Sequence, residues 1–336
     1  MMIRSILATI GFAAVLSLSQ PAISKTIKIA TVAPKDSPWY EMLQNMANAW
    51  EQVSDGAIKT RIYANGIAGD ELDLIRKMRV GQIDIAMLSI GSLPEIAWQL
   101  RALNMPLLIE TYDELDHVMA GVSPTFEALL AEQGFRVLAW GDAGWVHFFT
   151  TKPVVTPDDL KPLRLFMWGS TGPYLDAWKD EGYNPVPVPA PEIHTALTTG
   201  MIDAIVVPPI AALSFQWFGI ANHMTDMPWA PMVGAIVISE RSWRKIPKNL
   251  RARFLDISIA ASAEAQAKVR AVGPQAIEAM EAYGLTVHQV PPEALEQWRK
   301  AVDAGFSKLI GTEVPADLMA RVRQLVAEHR SGRSTQ

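Results

Sequence analysis

The chain reads as an α/β protein made of two similar lobes, and three observations support this. Residues 158–209 read by period as a short apolar strand (Leu163 to Met167), a helix (Thr171 to Glu181), a proline-punctuated strand (Pro185 to Pro189), a helix (Pro191 to Thr199) and a strand (Asp203 to Val207). Such a series lays its strands parallel, with their C-terminal ends along one edge. Residues 25–88 repeat the pattern: a strand at Lys25 to Val32, an amphipathic helix at Trp39 to Val53 behind Pro38, and a turn at Asp55-Gly56. A strand at Ile58 to Tyr63, a helix at Asp70 to Val80 and a strand at Ile83 to Leu88 complete it. The two series also end alike. In each a helix stops on a glycine, Gly81 or Gly200, and an aspartate, Asp84 or Asp203, opens an apolar strand.

Between and after these units the pattern is less regular. Leu103 to Leu108 is an apolar loop or strand, followed by helices near Tyr112 to Ala120 and Pro124 to Gln133. Phe135 to Gly141 and Trp145 to Thr151 read as strands separated by Gly141-Asp142-Ala143-Gly144, the second crossing into the other lobe. Met232 to Glu240 is the return crossing, so two crossings form a hinge. Pro247 to Tyr283 is apolar at helical spacing and stops at Gly284; at ~1.5 Å per residue it would be about 55 Å long, more than one lobe. Gly273-Pro274 should remove a hydrogen bond and kink it. A strand at Leu285 to Gln289 and helices at Pro292 to Ile310 and Pro315 to His329 close the fold, leaving a loose tail from Arg330.

Composition narrows the function. Arg4, the apolar run Ile6 to Leu18 and the small residues around Ala22-Ile23-Ser24 describe a cleavable export signal. Its loss would move the formal net charge from −5 to −6. No other run approaches the ~20 apolar residues that cross a bilayer. The chain has no cysteine, which excludes thiolate chemistry and cysteine-ligated metals, and its mild acidity argues against a nucleic-acid partner. The six histidines, at 117, 147, 194, 223, 288 and 329, form no helical ligand pair, and there is no G-x-S-x-G elbow, G-x-G-x-x-G turn or phosphate loop. The expectation is therefore a non-enzyme without cofactor or metal.

Three segments in order, Thr156-Pro157-Asp158-Asp159-Leu160-Lys161, Pro185-Val186-Pro187 and Glu192 to Asp203, resemble the substrate-binding subunits of tripartite ATP-independent periplasmic (TRAP) transporters. Tyr63 to Glu71 adds to the likeness, which covers essentially the whole exported chain. The resemblance implies a clamshell periplasmic binding protein, two α/β lobes joined by hinge strands and by a long kinked helix spanning both. The expected divisions are a signal at 1–24, lobe I at 25–147 plus about 235–270, lobe II at 148–234 plus about 271–330, and a tail at 331–336. It also implies a periplasmic location and two integral-membrane partners, a small and a large carrier subunit. No partner is a nucleic acid, and the protein itself does not span the membrane.

Members of that family hold an organic acid through an arginine, whose planar fork matches a carboxylate. In this sequence the matching strand is Leu163-Arg164-Leu165-Phe166-Met167, with Phe166 at the arginine position. Val146 stands at a second arginine position on the crossing strand, and Val206 and Val207 replace a further polar position. A buried carboxylate without a cation costs several kcal/mol. Burying ~200 Å² of apolar ligand surface would instead contribute roughly 5 kcal/mol before entropy costs. The expected pocket is lined by Trp145, Val146, Phe166, Trp168 and Val207, with Trp39, Ser89 and Trp217 at its rim, and takes a neutral or largely apolar ligand, aromatic or lipid-like. Other readings stay open: Phe166 and Val207 as strand core, and Trp39, Trp217 and Trp229 as packing. Arg164 or His147 could instead restore a carboxylate site, and the clamshell could serve a signalling receptor rather than a carrier.

Overall fold

Among the described residues ten strands order the chain: β1 (Lys25–Ala30), β2 (Ile58–Tyr63), β3 (Ile85–Ser89), β4 (Phe135–Thr150), β5 (Arg164–Trp168), β6 (Asn184–Val188), β7 (Ala204–Val207), β8 (His223–Asp226), β9 (Ala230–Ser239) and β10 (Thr286–Gln289). The α-helices are α1 (Pro38–Val53), α2 (Glu71–Arg79), α3 (Tyr112–Glu132), α4 (Pro157–Leu160), α5 (Pro173–Asp180), α6 (Ile193–Thr198) and α7 (Pro209–Ser214). They continue with α8 (Glu240–Trp243), α9 (Lys248–Ala282), α10 (Pro292–Ser307) and α11 (Ala316–Arg333). The computed structural model describes residues 25–168 and 173–333. The expected export signal at 1–24 lies outside the described residues, as do the start of the helix expected from Thr171 and the last three residues. No helix among the described residues is long and apolar enough to cross a membrane.

The strands lie in the order β2-β1-β3-β9-β4-β7-β5-β6, with β8 pairing β4 and β10 pairing β8. β1, β2 and β3 pair in parallel, as do β5 with β6 and β5 with β7, so each expected β-α-β-α-β unit forms one end of the array. β2, β6 and β10 each pair with a single neighbour and form the edges, and two of the five residues of β6 are prolines. β9 and β4 run antiparallel through the middle and join the two ends.

The echo between the halves has a structural cause. Asp84 Oδ2 accepts the backbone N–H of Lys28 at 2.9 Å, and its own N–H donates to Lys28 O at 3.0 Å. Asp203 does the same with Arg164, at 3.1 and 2.8 Å. Each aspartate thus fastens the start of its strand to the neighbouring strand, completing a ladder that would otherwise end on unpaired backbone groups.

Three sequence expectations are corrected. β4 is one strand of 16 residues, not two. Its pairing with β9 slips between Asp142 and Trp145, and Gly144, at φ +78°, takes the left-handed conformation of a bulge that absorbs the extra residue. α3 is likewise a single helix running through Pro124. A buried stripe of Leu115, Val118, Val122, Phe126 and Leu130 holds it against the core despite the hydrogen bond that proline removes. The chain end is helical to Arg333, because Arg330 donates to Glu114 Oε1 at 2.8 Å and to Leu108 O at 3.1 Å.

α9 spans both lobes, as expected, and is continuous through Gly273 and Pro274. Phe254 and Ala265 enter the core formed by α1, β1, β3 and β9, where Trp50 stacks on Phe254 at 4.1 Å. Met280 enters the core under α6 and α7, with Phe166, Ile205 and Trp217. Between these anchors Arg270 bonds Asp142 of the β4 bulge at 2.7 Å and Asp116 of α3 at 2.6 Å, its guanidinium lying 4.4 Å from the Tyr112 ring centre. The Asp142 side chain is 2 % exposed, so removing its cation strands a buried charge. Arg270→Met should cost about 3 kcal/mol in urea unfolding. Adding Asp142→Asn should recover part of that loss, since no unpaired charge then remains.

Candidate ligand-binding site

Where the C-terminal ends of β1, β3, β5 and β7 converge, the chain encloses a cavity of about 140 Å³. One side is formed by Val32 and Ala33 after β1, Trp39 and Met42 of α1, Glu71 at the start of α2, and Met87 to Ser89 of β3. The facing side brings Trp168 from β5, Ala190 beyond β6, Val207 of β7 and the following Pro208, Ala211 of α7, Phe215 and Trp217. The crossing strands supply the floor, Ala139 and Gly141 to Ala143 of β4 and Met232 to Ile236 of β9. Ser262, Ala265 and Gln266 of α9 close it.

Two close approaches bring the facing sides together. A Cβ on Gly91, just beyond β3, would lie 2.9 Å from Cγ of Trp168, so the indole can seat there only against glycine. A Cβ on Gly66 would lie 2.7 Å from Cγ of Pro191, and Gly66 also has φ +67°. Phe215 and Trp217 stack with ring centres 4.3 Å apart, and Phe166 meets the Trp168 ring edge-on at 5.4 Å.

Five of the eight residues expected at the pocket line this cavity: Trp39, Ser89, Trp168, Val207 and Trp217. Phe166, Val146 and Trp145 do not. Phe166 is 1 % exposed and lies behind Trp168, while Val146 is buried in the core on the other side of the sheet. Trp145 turns to the Tyr112 ring at 4.8 Å and donates its indole N–H to Ile109 O at 2.9 Å. Trp229 packs between Phe148 and Trp298 instead.

Neither expected substitute cation reaches the cavity wall. Arg164 grips Asp203 through Nε at 2.6 Å and Nη2 at 2.7 Å in a surface depression with Lys152, Asp158 and Asp159. His147 lies buried where β4 leaves β9 to pair with β7, its Nδ1 3.1 Å from Thr225 O. The acids on the wall, Glu71 and Asp142, were not singled out from sequence. Asp142 has both oxygens engaged, by the Gly144 N–H at 3.1 Å, by Gln266 and by Arg270. The described residues contain no group of three or more histidines or acids that could hold a metal.

Two α/β lobes joined by crossing strands, with the ends of their parallel strands facing one another across a cavity, define a solute-binding clamshell. The family model DctP, described as bacterial extracellular solute-binding protein family 7, matches residues 29–311. The chain belongs to this family, as a TRAP-type solute-binding protein rather than an enzyme. It is 23 % identical over 336 residues to the C4-dicarboxylate-binding periplasmic protein DctP of Rhodobacter capsulatus, covering 98 % of this chain and 100 % of the relative. A TRAP periplasmic solute binding protein from Sulfurospirillum deleyianum, solved with succinate, shares the fold at a TM-score of 0.84 and 21 % identity, covering 90 % of this chain and 99 % of that one. A second, from Ralstonia eutropha with bound (S)-2-acetolactate, matches at 0.84 and 23 % over the same shares.

Burial, the largest influence on His147, holds its imidazole below the ordinary 6.5, against smaller opposing effects of the Thr225 carbonyl and Asp226. The unfolded chain takes up a proton near 6.5 that the folded protein resists. The penalty is therefore absent above that pH and grows as the pH falls below it. Urea midpoints measured from pH 8 to pH 5 should decline less steeply in His147→Gln than in the wild type.

Proposed function

We propose that this protein is the periplasmic receptor of a TRAP-type carrier, and that it captures a neutral or largely apolar ligand by closing two lobes over it. The observation that carries this reading is the charge of the wall: apolar and aromatic side chains surround the cavity, and its ionisable residues are two acids, Glu71 and Asp142. Residues 169–172, which follow β5 in the sequence, contain no basic residue either. A ligand carboxylate would thus lose its hydration beside two acids with no free cation to replace it. Apolar surface entering the same space is stabilised at about 25 cal/mol per Å².

Trp39, Ser89, Trp168, Val207 and Trp217 are the contacts we assign to the ligand, with Phe166 supporting Trp168 from behind. Lobe I is residues 25–147 with about 235–270, and lobe II is 148–234 with about 271–330. They rotate about the crossing strands, and the glycine contacts at Gly91 and Gly66 are where they meet. Small and large integral-membrane subunits receive the ligand, and the 1–24 segment directs export to the periplasm. A second reading, an organic-acid receptor, is favoured by the acids found in the related structures. It would require Arg270 to leave Asp142 and Asp116, since Arg164 and His147 lie off the wall.

A thermal-shift panel separates the two readings. A hydrophobic compound at a hundredfold excess over its Kd should add about 2.7 kcal/mol and raise the Tm by a few degrees, whereas succinate and acetolactate should not. Stabilisation by the acids alone would reject the apolar reading. Gly91→Ala, which pushes Trp168 out of its seat, should weaken the same hydrophobic compound about tenfold by calorimetry while leaving the unliganded Tm within a few degrees.

A further inference from the structure

Glu71 is held in an asymmetric way. It is 4 % exposed, and three donors reach its carboxylate: Ser89 N at 3.0 Å, Ser89 Oγ at 2.7 Å and Ser92 Oγ at 2.5 Å. All three bind Oε2, and Oε1 receives none among the described residues. Glu71 lines the cavity, and with all three of these donors on Oε2, Oε1 is the oxygen left for a ligand.

The serines fix the carboxylate in one orientation, with one oxygen satisfied and the other turned to the ligand space. Asp142 is neutralised by Arg270 and has no acceptor to spare. Glu71 has no such counter-ion; the charge that acts on it is another acid, Asp70. Among the described residues the cavity wall therefore carries one uncompensated acid, and it also includes the rings of Trp39, Trp168, Phe215 and Trp217, a residue type whose faces favour a cation.

Building on the apolar reading above, we propose that Glu71 Oε1 is the polar anchor of the site and that the ligand is a largely apolar amine whose ammonium donates to it. The ammonium supplies the missing counter-charge, and the hydrocarbon fills the remaining wall. Burial, the largest influence on Glu71, raises its pKa against the lowering effect of the Ser89 and Ser92 hydrogen bonds, and an ammonium beside Oε1 would oppose that rise.

Calorimetry of the purified protein with three matched probes, 2-phenylethylamine, 2-phenylethanol and phenylacetate, tests this. The wild type should bind the amine at least tenfold more tightly than the alcohol and show no measurable affinity for the acid. Glu71→Gln, which keeps an oxygen for both serines, should bring the amine down to the level of the alcohol while changing the alcohol less than threefold. The wild-type ranking needs no variant: an amine no tighter than the alcohol overturns the proposal, as does an amine preference that survives in Glu71→Gln. Alcohol binding without an amine preference removes the anchor and leaves the apolar cavity standing. If none of the three binds the proposal also fails, and if succinate binds in their place the apolar reading falls with it.

Discussion

The two strands that pass between the lobes must keep every buried backbone group paired along the way. β4 satisfies most of this by pairing with β9 as far as Val146 and then with β7 from His147 onward, with register shifts at Val137 to Ala139 and Asp142 to Trp145. β9 meets the same demand by lying between β3 and β4. Because the crossing is continuous sheet, the floor of the cavity is as well supported as a strand core. Of the two register shifts in the pairing of β4 with β9, at Val137 to Ala139 and at Asp142 to Trp145, the second is the place that Arg270 of α9 holds. Floor, crossing and long helix are thus one mechanical unit.

The parts of the fold that were readable in the sequence are those set by local periodicity. Both parallel units follow from alternating strands, amphipathic helices and a glycine-to-aspartate junction, and the junction serves the same bonds in each half. The parts that were not readable depend on distant partners. A Gly-Asp-Ala-Gly run looks like a break until Val233 and Pro231 of β9 are seen to pair across it. A proline within a helix looks like a terminus until the stripe from Leu115 to Leu130 is seen to be buried. α7 and β8 are short, and their apolar residues read equally well as loop.

The candidate site shows the same division. Residues at the ends of parallel strands, such as Trp168 and Val207, could be placed by topology, because that edge faces the cleft. Arg164 could not, since its direction is decided by Asp203, 39 residues away. Glu71 was hidden for a related reason. An acid in the first turn of a helix ordinarily opposes the helix dipole, and nothing local reveals that serines 18 and 21 residues further on have fixed its carboxylate. The eleven tryptophans were also ambiguous as a count, for Trp50, Trp229 and Trp298 are core residues while Trp39, Trp168 and Trp217 line the cavity.

The main run of strands is open at β2 and at β6, and open edges invite copies of a chain to add onto one another. At one end, Pro185 and Pro187 of β6 have no N–H to offer a newcomer; at the other, Lys59 and Arg61 of β2 place like charges where a second copy would have to align. These two outer strands therefore guard the fold against edge-to-edge polymerisation, independently of whatever its interior holds.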